Sequence, residues 1–228
     1  MEVTEDVPGG GLRRVRVRHS AWDPVVDDTI GKLMIVADGM GGHGAGEVAS
    51  RVAIEAAVNA WYTSGQTDVQ ARLKEAIAAA NKSVYDERQR TGSDMGTTFV
   101  AVVQTPDGKA VVGHVGDSRA YWVRANGELA QYTTDHSLVA QLERVGKITP
   151  EQARVHPQRN VIYRSLGSKP AVDIDIVAWD LAPGDRVLLG SDGLFGMVED
   201  SGVSSILGQH AADSARAVGE LITAANRA

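Results

Sequence analysis

Residues 38–50, which read DGMGGHGAGEVAS, constrain the fold of this chain more than any other stretch. They follow a short apolar run, residues 33–37, which predicts a strand, and they lead into a helical pattern. The strand therefore delivers the carboxylate of Asp38 to a turn. Glycines in this turn, Gly39 among them, let the backbone adopt angles closed to other residues and let a ligand approach closely.

A second stretch, residues 186–193 (RVLLGSDG), also ends an apolar strand in Asp-Gly, at Asp192. Taken singly, each Asp-Gly pair is typical of a turn or a helix N-cap. Taken together, they predict carboxylates that converge on a cation, because two neighbouring carboxylates without one would repel, and one of them would take up a proton. Oxygen ligands of this kind favour a divalent metal such as Mg²⁺ or Mn²⁺.

Two further features extend this site. Asp117 lies in Gly-Asp-Ser-Arg, which indicates either a carboxylate near the same metals or a hairpin corner with a local ion pair between Asp117 and Arg119. A lone histidine in a glycine loop, such as His43, is commonly structural or solvent-facing; the alternative interpretation is a proton donor near the reaction centre. The glycine loop lacks the lysine of a phosphate-binding P-loop and the spacing of a dinucleotide fold.

Length and composition restrict the class of protein. The 228 residues are 43% hydrophobic and 23% charged, with no Pro- or Ser-rich linker and no repeat, which favours one globular domain over 1–228. The net charge of -6 argues against a nucleic-acid partner. The chain has no cysteine, so thiolate chemistry is excluded. The acidic, polar N-terminus is unlike a signal peptide, and no apolar run is long enough to span a membrane. The sequence therefore predicts a cytoplasmic protein without a membrane partner.

The order of the predicted elements favours an α+β fold. Two long helical patterns come first, then a run of strands with turn signals over residues 96–134 that predicts an antiparallel meander, and then a closing helix pair. The predicted strands are 32–37, 97–104, 109–115, 120–124, 128–132, 172–179 and 186–190. The predicted helices are 45–62, 68–90, 137–145, one that opens at Thr149, 199–207 and 212–225.

The motifs together resemble one family. VADGMGGHGAGEVAS, MGTTFVAVV, GHVGDSRAYWVR, TTDHSLVAQL, ITPEQA, HPQRNVIYRSLG and GDRVLLGSDGLFGMVED are similar, in order and spacing, to the bacterial PPM-type, metal-dependent Ser/Thr protein phosphatases, the protein phosphatase type two C family. The similarity extends from about residue 11 to residue 227, which is nearly the whole chain.

The resemblance implies a four-layer α-β-β-α sandwich, two antiparallel sheets flanked by helix pairs, with two Mn²⁺ or Mg²⁺ ions in a cleft at one edge. A metal-bridging water would attack a phosphoserine or phosphothreonine of a protein substrate, and a cognate Ser/Thr kinase is a reasonable partner. The implied ligands are the carboxylate of Asp38, the backbone carbonyl of Gly39 and the carboxylate of Asp192, with Asp117 and Asp192 for a third, weaker ion.

Two further segments take roles from the resemblance. Gly11-Leu12-x-Arg14 is similar to the family's GLxR motif, whose arginine binds the phosphate of the substrate. The alternative interpretation is structural: residues 12–18, which include four arginines, would form a solvated basic face. Residues 138–164 are similar to the mobile flap that the family links to substrate choice.

The sequence departs from the family at two places. Residues 18–22 (RHSAW) stand where the family has Asn-Glu-Asp or Asn-Gln-Asp with a metal-binding aspartate, and His19 or a nearby aspartate are the alternatives. The family's closing Gly-Gly-x-Asp-Asn segment is absent, and a truncation, omitted residues and a natural loss would look the same here. These departures leave a second hypothesis open: a degenerate phosphatase domain that binds a phosphoprotein or partner without turnover.

Overall fold

The computed structural model describes residues 30–42 and 44–228. Its strands are β1 (Lys32–Val36), β2 (Gly39–Met40), β3 (Gly96–Thr97), β4 (Phe99–Gln104), β5 (Lys109–Val115), β6 (Arg119–Val123), β7 (Leu129–Gln131), β8 (Asp175–Asp180) and β9 (Arg186–Gly190). Its helices are α1 (Ala45–Thr63), α2 (Val69–Thr91), α3 (Leu138–Arg144), α4 (Pro150–Arg154), α5 (Asp192–Phe195), α6 (Asp200–Gln209) and α7 (Ser214–Arg227). The predicted mixture of helices and antiparallel strands is confirmed.

The first two helices form where the sequence predicts them, and the ends of α2 carry clear signals. The Asp68 side chain accepts a hydrogen bond from the Ala71 N–H at 2.7 Å and so caps the start of α2. Gly92 ends the same helix in the left-handed conformation, at φ 65°. Apolar residues on one face of each helix pack into a cluster with the sheet strand β4.

In the described part of the chain, the strands form two main sheets and one short pair, and every strand pair is antiparallel. A four-stranded sheet has the order β1-β4-β5-β8, a three-stranded sheet has the order β7-β6-β9, and β2 pairs with β3. The prediction of one continuous meander over residues 96–134 is wrong, because β5 and β6 belong to different sheets. The chain changes sheet at the turn around Gly116, whose φ of 110° favours glycine.

In the described part of the chain, three hydrophobic clusters form where helices and strands pack together. Strand β4 shows the alternation clearly: Phe99, Ala101 and Val103 belong to the cluster with α1 and α2, whereas Val100 and Val102 belong to a cluster shared with β6. Side chains of successive strand residues point to opposite faces, so β4 is buried on both. A third cluster joins β6 and β9 to α5, α6 and α7.

The strand predicted at residues 172–179 begins later than expected, at Asp175, and runs to Asp180. It pairs with β5, in a register that places Asp175 opposite His114. Among the described residues, no helix combines the length and the apolar character that a bilayer span requires.

Candidate functional site

Asp38 lies in the turn between β1 and β2, and its backbone is held from both sides. Its N–H donates to the Thr98 hydroxyl at 3.0 Å, and its carbonyl accepts from the Thr98 N–H at 2.9 Å. The Thr97 hydroxyl donates to the same carbonyl at 2.9 Å. Because the backbone is bound at both polar groups, the half-buried carboxylate projects from a fixed point at the end of the four-stranded sheet.

Gly39 follows directly, in β2, and its backbone lies against the first turn of α1. A Cβ atom on Gly39 would fall 1.8 Å from the carbonyl oxygen of Gly46, so no other residue fits there. The reverse also holds, since a Cβ on Gly46 would lie 2.6 Å from the Gly39 oxygen. The glycine-rich sequence therefore lets the helix approach the strand end within backbone contact, beside Asp38.

Asp192 reaches the same place from the other sheet. It is exposed and begins α5, directly after β9. Its carboxyl group lies near enough to that of Asp38 to affect the pKa of Asp38. Burial, followed by the negative charge of Asp192 and the hydrogen bond to it, raises the pKa of Asp38 to about 6, against a smaller opposing effect of the Ser191 hydroxyl.

Asp117 is the third carboxylate, in the turn between β5 and β6. Burial, followed by the charges of Asp192 and Asp135 and then of Asp38, raises its pKa to about 7. Its neighbour Ser118 shares a 2.7 Å hydrogen bond with the Thr98 hydroxyl, the same group that accepts from the Asp38 N–H. The structure thus brings Asp38, Asp117 and Asp192 into one electrostatic neighbourhood.

This set of groups fits a hard divalent cation. Burial and the neighbouring negative charges raise the pKa values of Asp38 and Asp117, and a cation between the carboxylates would offset that repulsion. Mg²⁺ and Mn²⁺ favour such oxygen ligands. The carbonyl oxygen of Gly39 stands beside Asp38 in the chain as a further oxygen ligand of the predicted set.

Two predicted site residues, Arg14 and His43, lie outside the described residues, as do His19 and residues 20–29. His136 does not join the three carboxylates; it is buried against His114, with the two rings stacked at 4.6 Å. The Nδ1 atom of His156 accepts a local hydrogen bond from the Gln158 N–H at 3.1 Å.

The alternative reading of Gly-Asp-Ser-Arg as a corner with a local Asp117–Arg119 ion pair is wrong. Arg119 instead pairs with the buried carboxylate of Asp135, with an Nη2–Oδ2 distance of 2.7 Å. Asp117 is consequently free of that compensating cation. The supporting hydroxyls of Thr97, Thr98 and Ser118 were not predicted, although each lies within or next to a motif that resembles the family.

The raised pKa values predict an unusual pH dependence for the metal-free protein. Asp38 and Asp117 titrate at about 6 and about 7 in the folded chain, above the ordinary aspartate value of about 3.9. Their contribution to stability is therefore complete below about pH 4 and is lost as the pH rises through about 6 to 7. We expect the free energy of unfolding in EDTA, measured by urea denaturation, to fall across this range.

The matched controls are the Asp38→Asn variant and the wild type with excess Mn²⁺. The variant should show a shallower fall, because one of the two titrating groups is gone. Bound Mn²⁺ should suppress the fall, because it binds the deprotonated carboxylates. An unchanged slope in the Asp38→Asn variant would contradict this origin of the pH dependence.

Comparison with known proteins gives a consistent result. The family model described as protein phosphatase 2C matches residues 19–222. A relative from Listeria monocytogenes, named serine/threonine phosphatase stp, is 39% identical over 181 residues, which are 77% of this chain and 71% of the relative.

Solved structures are similar over an even larger share. The Mycobacterium tuberculosis serine/threonine phosphatase PstP/Ppp superposes with a TM-score of 0.77 and 37% identity, over 86% of this chain and 82% of that one. The catalytic domain of PstP in complex with two manganese ions gives a TM-score of 0.76 and 35% identity, over 86% of this chain and 81% of the other. The similarity to these structures therefore extends over most of the chain rather than over one motif.

Proposed function

The chain belongs to the protein phosphatase 2C family, and from that premise we propose that it is a metal-dependent protein serine/threonine phosphatase. The observation that carries the proposal is the convergence of Asp38, Asp117 and Asp192 from the ends of three strands, with raised pKa values that a cation would offset. The Listeria relative that matches most of the chain is named a serine/threonine phosphatase. The expected substrates are accordingly phosphoproteins.

We propose two Mn²⁺ or Mg²⁺ ions, held by Asp38, the Gly39 carbonyl and Asp192, with Asp117 and Asp192 serving a third. Support for metal dependence comes from the related catalytic domain that holds two manganese ions. When bound, such ions supply a nucleophile at neutral pH and offset the negative charge of the phosphoryl group.

The chain's own residues perform the positioning. Thr97 and Thr98 fix the backbone of Asp38, so its carboxylate needs little rearrangement to receive a cation. Partial burial of Asp38 and Asp117 lowers the local dielectric, which strengthens their interaction with positive charge. Fixed, partly desolvated carboxylates of this kind are preorganised for charge stabilisation.

Arg14 and His43 complete the proposed site on sequence grounds. An arginine presents a planar fork that holds two phosphate oxygens at once, which suits Arg14 to the phosphate of the substrate. His43 follows the glycines after Asp38 and is proposed as the proton donor to the leaving group. The Arg14 assignment is supported by the family's GLxR motif, and the His43 assignment by its place in the glycine loop.

The finer architecture is proposed as a four-layer α-β-β-α sandwich, formed by a single domain over 1–228. It is supported by the three separate hydrophobic clusters, one of which contains residues of both main sheets. Residues 138–164 are proposed as the substrate flap. A cognate Ser/Thr kinase as partner and a cytoplasmic location stay predictions from the sequence.

The experiment is phosphate release from a phosphothreonine peptide by the full chain, first stripped with EDTA and then supplied with Mn²⁺ or Mg²⁺. We expect release only with added metal and its loss in the Asp38→Asn variant. The control is Asp86→Asn, which makes the same chemical change on α2, where Asp86 pairs with Lys82 at the surface. A folded wild-type chain that releases no phosphate at any metal concentration would favour the non-catalytic binding module instead.

A further inference from the structure

The dipeptide Asp135-His136 holds both ends of the turn that carries Asp117. At the first end, His136 makes two hydrogen bonds to one residue: its backbone N–H donates to the Gly116 carbonyl at 2.9 Å, and its Nδ1 accepts from the Gly116 N–H at 3.0 Å. Gly116 and His136 are both buried, so neither bond is replaced by water without cost.

At the other end of the turn, Asp135 binds Arg119. The Nε atom of Arg119 lies 3.0 and 3.1 Å from the two carboxylate oxygens, and Nη2 lies 2.7 Å from one of them. This is the fork geometry that fixes both partners in orientation as well as in distance. Residues 116–119 are therefore clamped at both ends by two adjacent residues from the segment after β7.

The orientation of the His136 ring is fixed by a further carboxylate. Because Nδ1 accepts the Gly116 N–H, the neutral ring carries its proton on Nε2, which donates to Asp175 Oδ2 at 3.2 Å. The Arg164 Nη1 atom lies 2.9 Å from the same Nε2 and 2.7 Å from Asp175 Oδ1. Both nitrogens are donors, so Asp175 is their shared acceptor.

This cluster is not a second cation site. His114, His136 and Asp175 offer ligand atoms within 4.8 Å of one another, but the guanidinium of Arg164 already supplies the positive charge there. A metal ion would have to displace it. The cluster is better explained by what it supports, which is the Gly116 amide and the turn beyond it.

We infer that His136 is a positioning residue for the metal centre: its Nδ1 holds the Gly116 amide and thereby sets the place of Asp117. The inference rests on the proposed function, in that Asp117 is taken as a metal ligand. Gly116 itself leaves little freedom, since its φ is 110° and a Cβ there would lie 2.8 Å from the Thr98 side chain. Burial and the neighbouring His114 lower the pKa of His136 to about 4, so Nδ1 stays an acceptor at neutral pH.

Two substitutions at one position separate positioning from packing. In His136→Asn the side-chain oxygen stands near the place of Nδ1 and can still accept from Gly116, whereas in His136→Gln the amide reaches toward the place of Nε2 and that acceptor is lost. We measure the number and dissociation constants of bound Mn²⁺ by isothermal titration calorimetry, together with the Mn²⁺ concentration that half-activates phosphate release.

We expect His136→Gln to weaken the weakest Mn²⁺ site by about 10- to 100-fold, as the loss of a ligand-orienting contact typically does. His136→Asn should weaken it by less than about threefold, because the acceptor remains. Equal Mn²⁺ binding by both variants and the wild type, equal losses in both, or a larger loss in His136→Asn would overturn the inference, because a packing role predicts that the smaller asparagine is the more disruptive.

The Asp175→Ala variant gives the same test if a variant at position 136 fails to fold, since Asp175 is 42% exposed. Without this acceptor the His136 proton is free to move to Nδ1, so weaker Mn²⁺ binding is expected, and unchanged binding would overturn the inference. Calorimetry keeps the two proposals apart: a wild type that binds Mn²⁺ without releasing phosphate contradicts the phosphatase but not the positioning role. A wild type that binds no Mn²⁺ contradicts both.

Discussion

The Asp38→Asn substitution is expected to lower kcat/KM for a phosphothreonine peptide by at least about 1,000-fold, which corresponds to about 4 kcal/mol of transition-state stabilisation. Asparagine keeps the size and shape of the side chain and removes its charge. The backbone bonds that anchor this residue, to Thr97 and Thr98, do not involve the side chain and are retained. The variant should therefore fold, and the loss should reflect the missing carboxylate alone.

The control for this prediction is Asp86→Asn, which should retain the wild-type kcat/KM. Circular dichroism and thermal unfolding of all three proteins establish that they are folded. An Asp38→Asn variant that keeps more than about a tenth of wild-type kcat/KM at saturating Mn²⁺ would contradict a ligand role for Asp38.

The Asp192→Asn substitution is expected to change activity and stability in opposite directions. It should lower kcat/KM by about 100-fold or more, because a carboxylate ligand becomes a neutral amide. In EDTA above about pH 7, the same variant should be at least as stable as the wild type, because the charge that raises the pKa of Asp38 and Asp117 is gone. Phosphate release measures the change in kcat/KM, and thermal unfolding with and without Mn²⁺ measures the change in stability.

This pairing separates a ligand from a structural residue. Asp192 also begins α5, directly after Ser191, so a helix-stabilising role is the alternative. If Asp192→Asn lowers the melting temperature in EDTA as much as in Mn²⁺, the residue serves the helix and not the cation. If the variant loses only the additional stability that Mn²⁺ gives the wild type, the metal role is supported.

Much of this fold follows from local sequence signals. Both long helices have an apolar face, α2 also has a capping aspartate and a terminal glycine, and the strands β5 and β9 have the predicted bounds. These signals involve residues close together in the chain. The change of sheet at Gly116 is not local, because it depends on which surfaces β5 and β6 find to pack against, and the sequence prediction of one meander accordingly failed.

The site likewise combines features that local sequence predicts with contacts between distant residues that it does not. Asp38 and Asp192 are evident from the sequence because each ends an apolar strand in Asp-Gly, and Asp117 is evident from a family motif. The partner of Arg119 was not evident from the sequence. Asp117 is two residues from Arg119 and Asp135 is sixteen residues away, yet Arg119 pairs with Asp135. The buried link from His136 to Gly116 likewise joins two motifs that the sequence presents as separate.

The most direct test of the account is calorimetric titration of Mn²⁺ into the full chain after EDTA treatment, at neutral pH. The carboxylates of Asp38, Asp117 and Asp192 are the proposed ligands. We predict tight binding of about two Mn²⁺ ions per wild-type chain and weaker binding of a third, with the tight binding greatly weakened in Asp38→Asn and all binding unchanged in Asp86→Asn. A folded wild-type chain that gives no binding heat and no thermal stabilisation at millimolar Mn²⁺ would contradict the metal centre, and with it the proposed phosphatase.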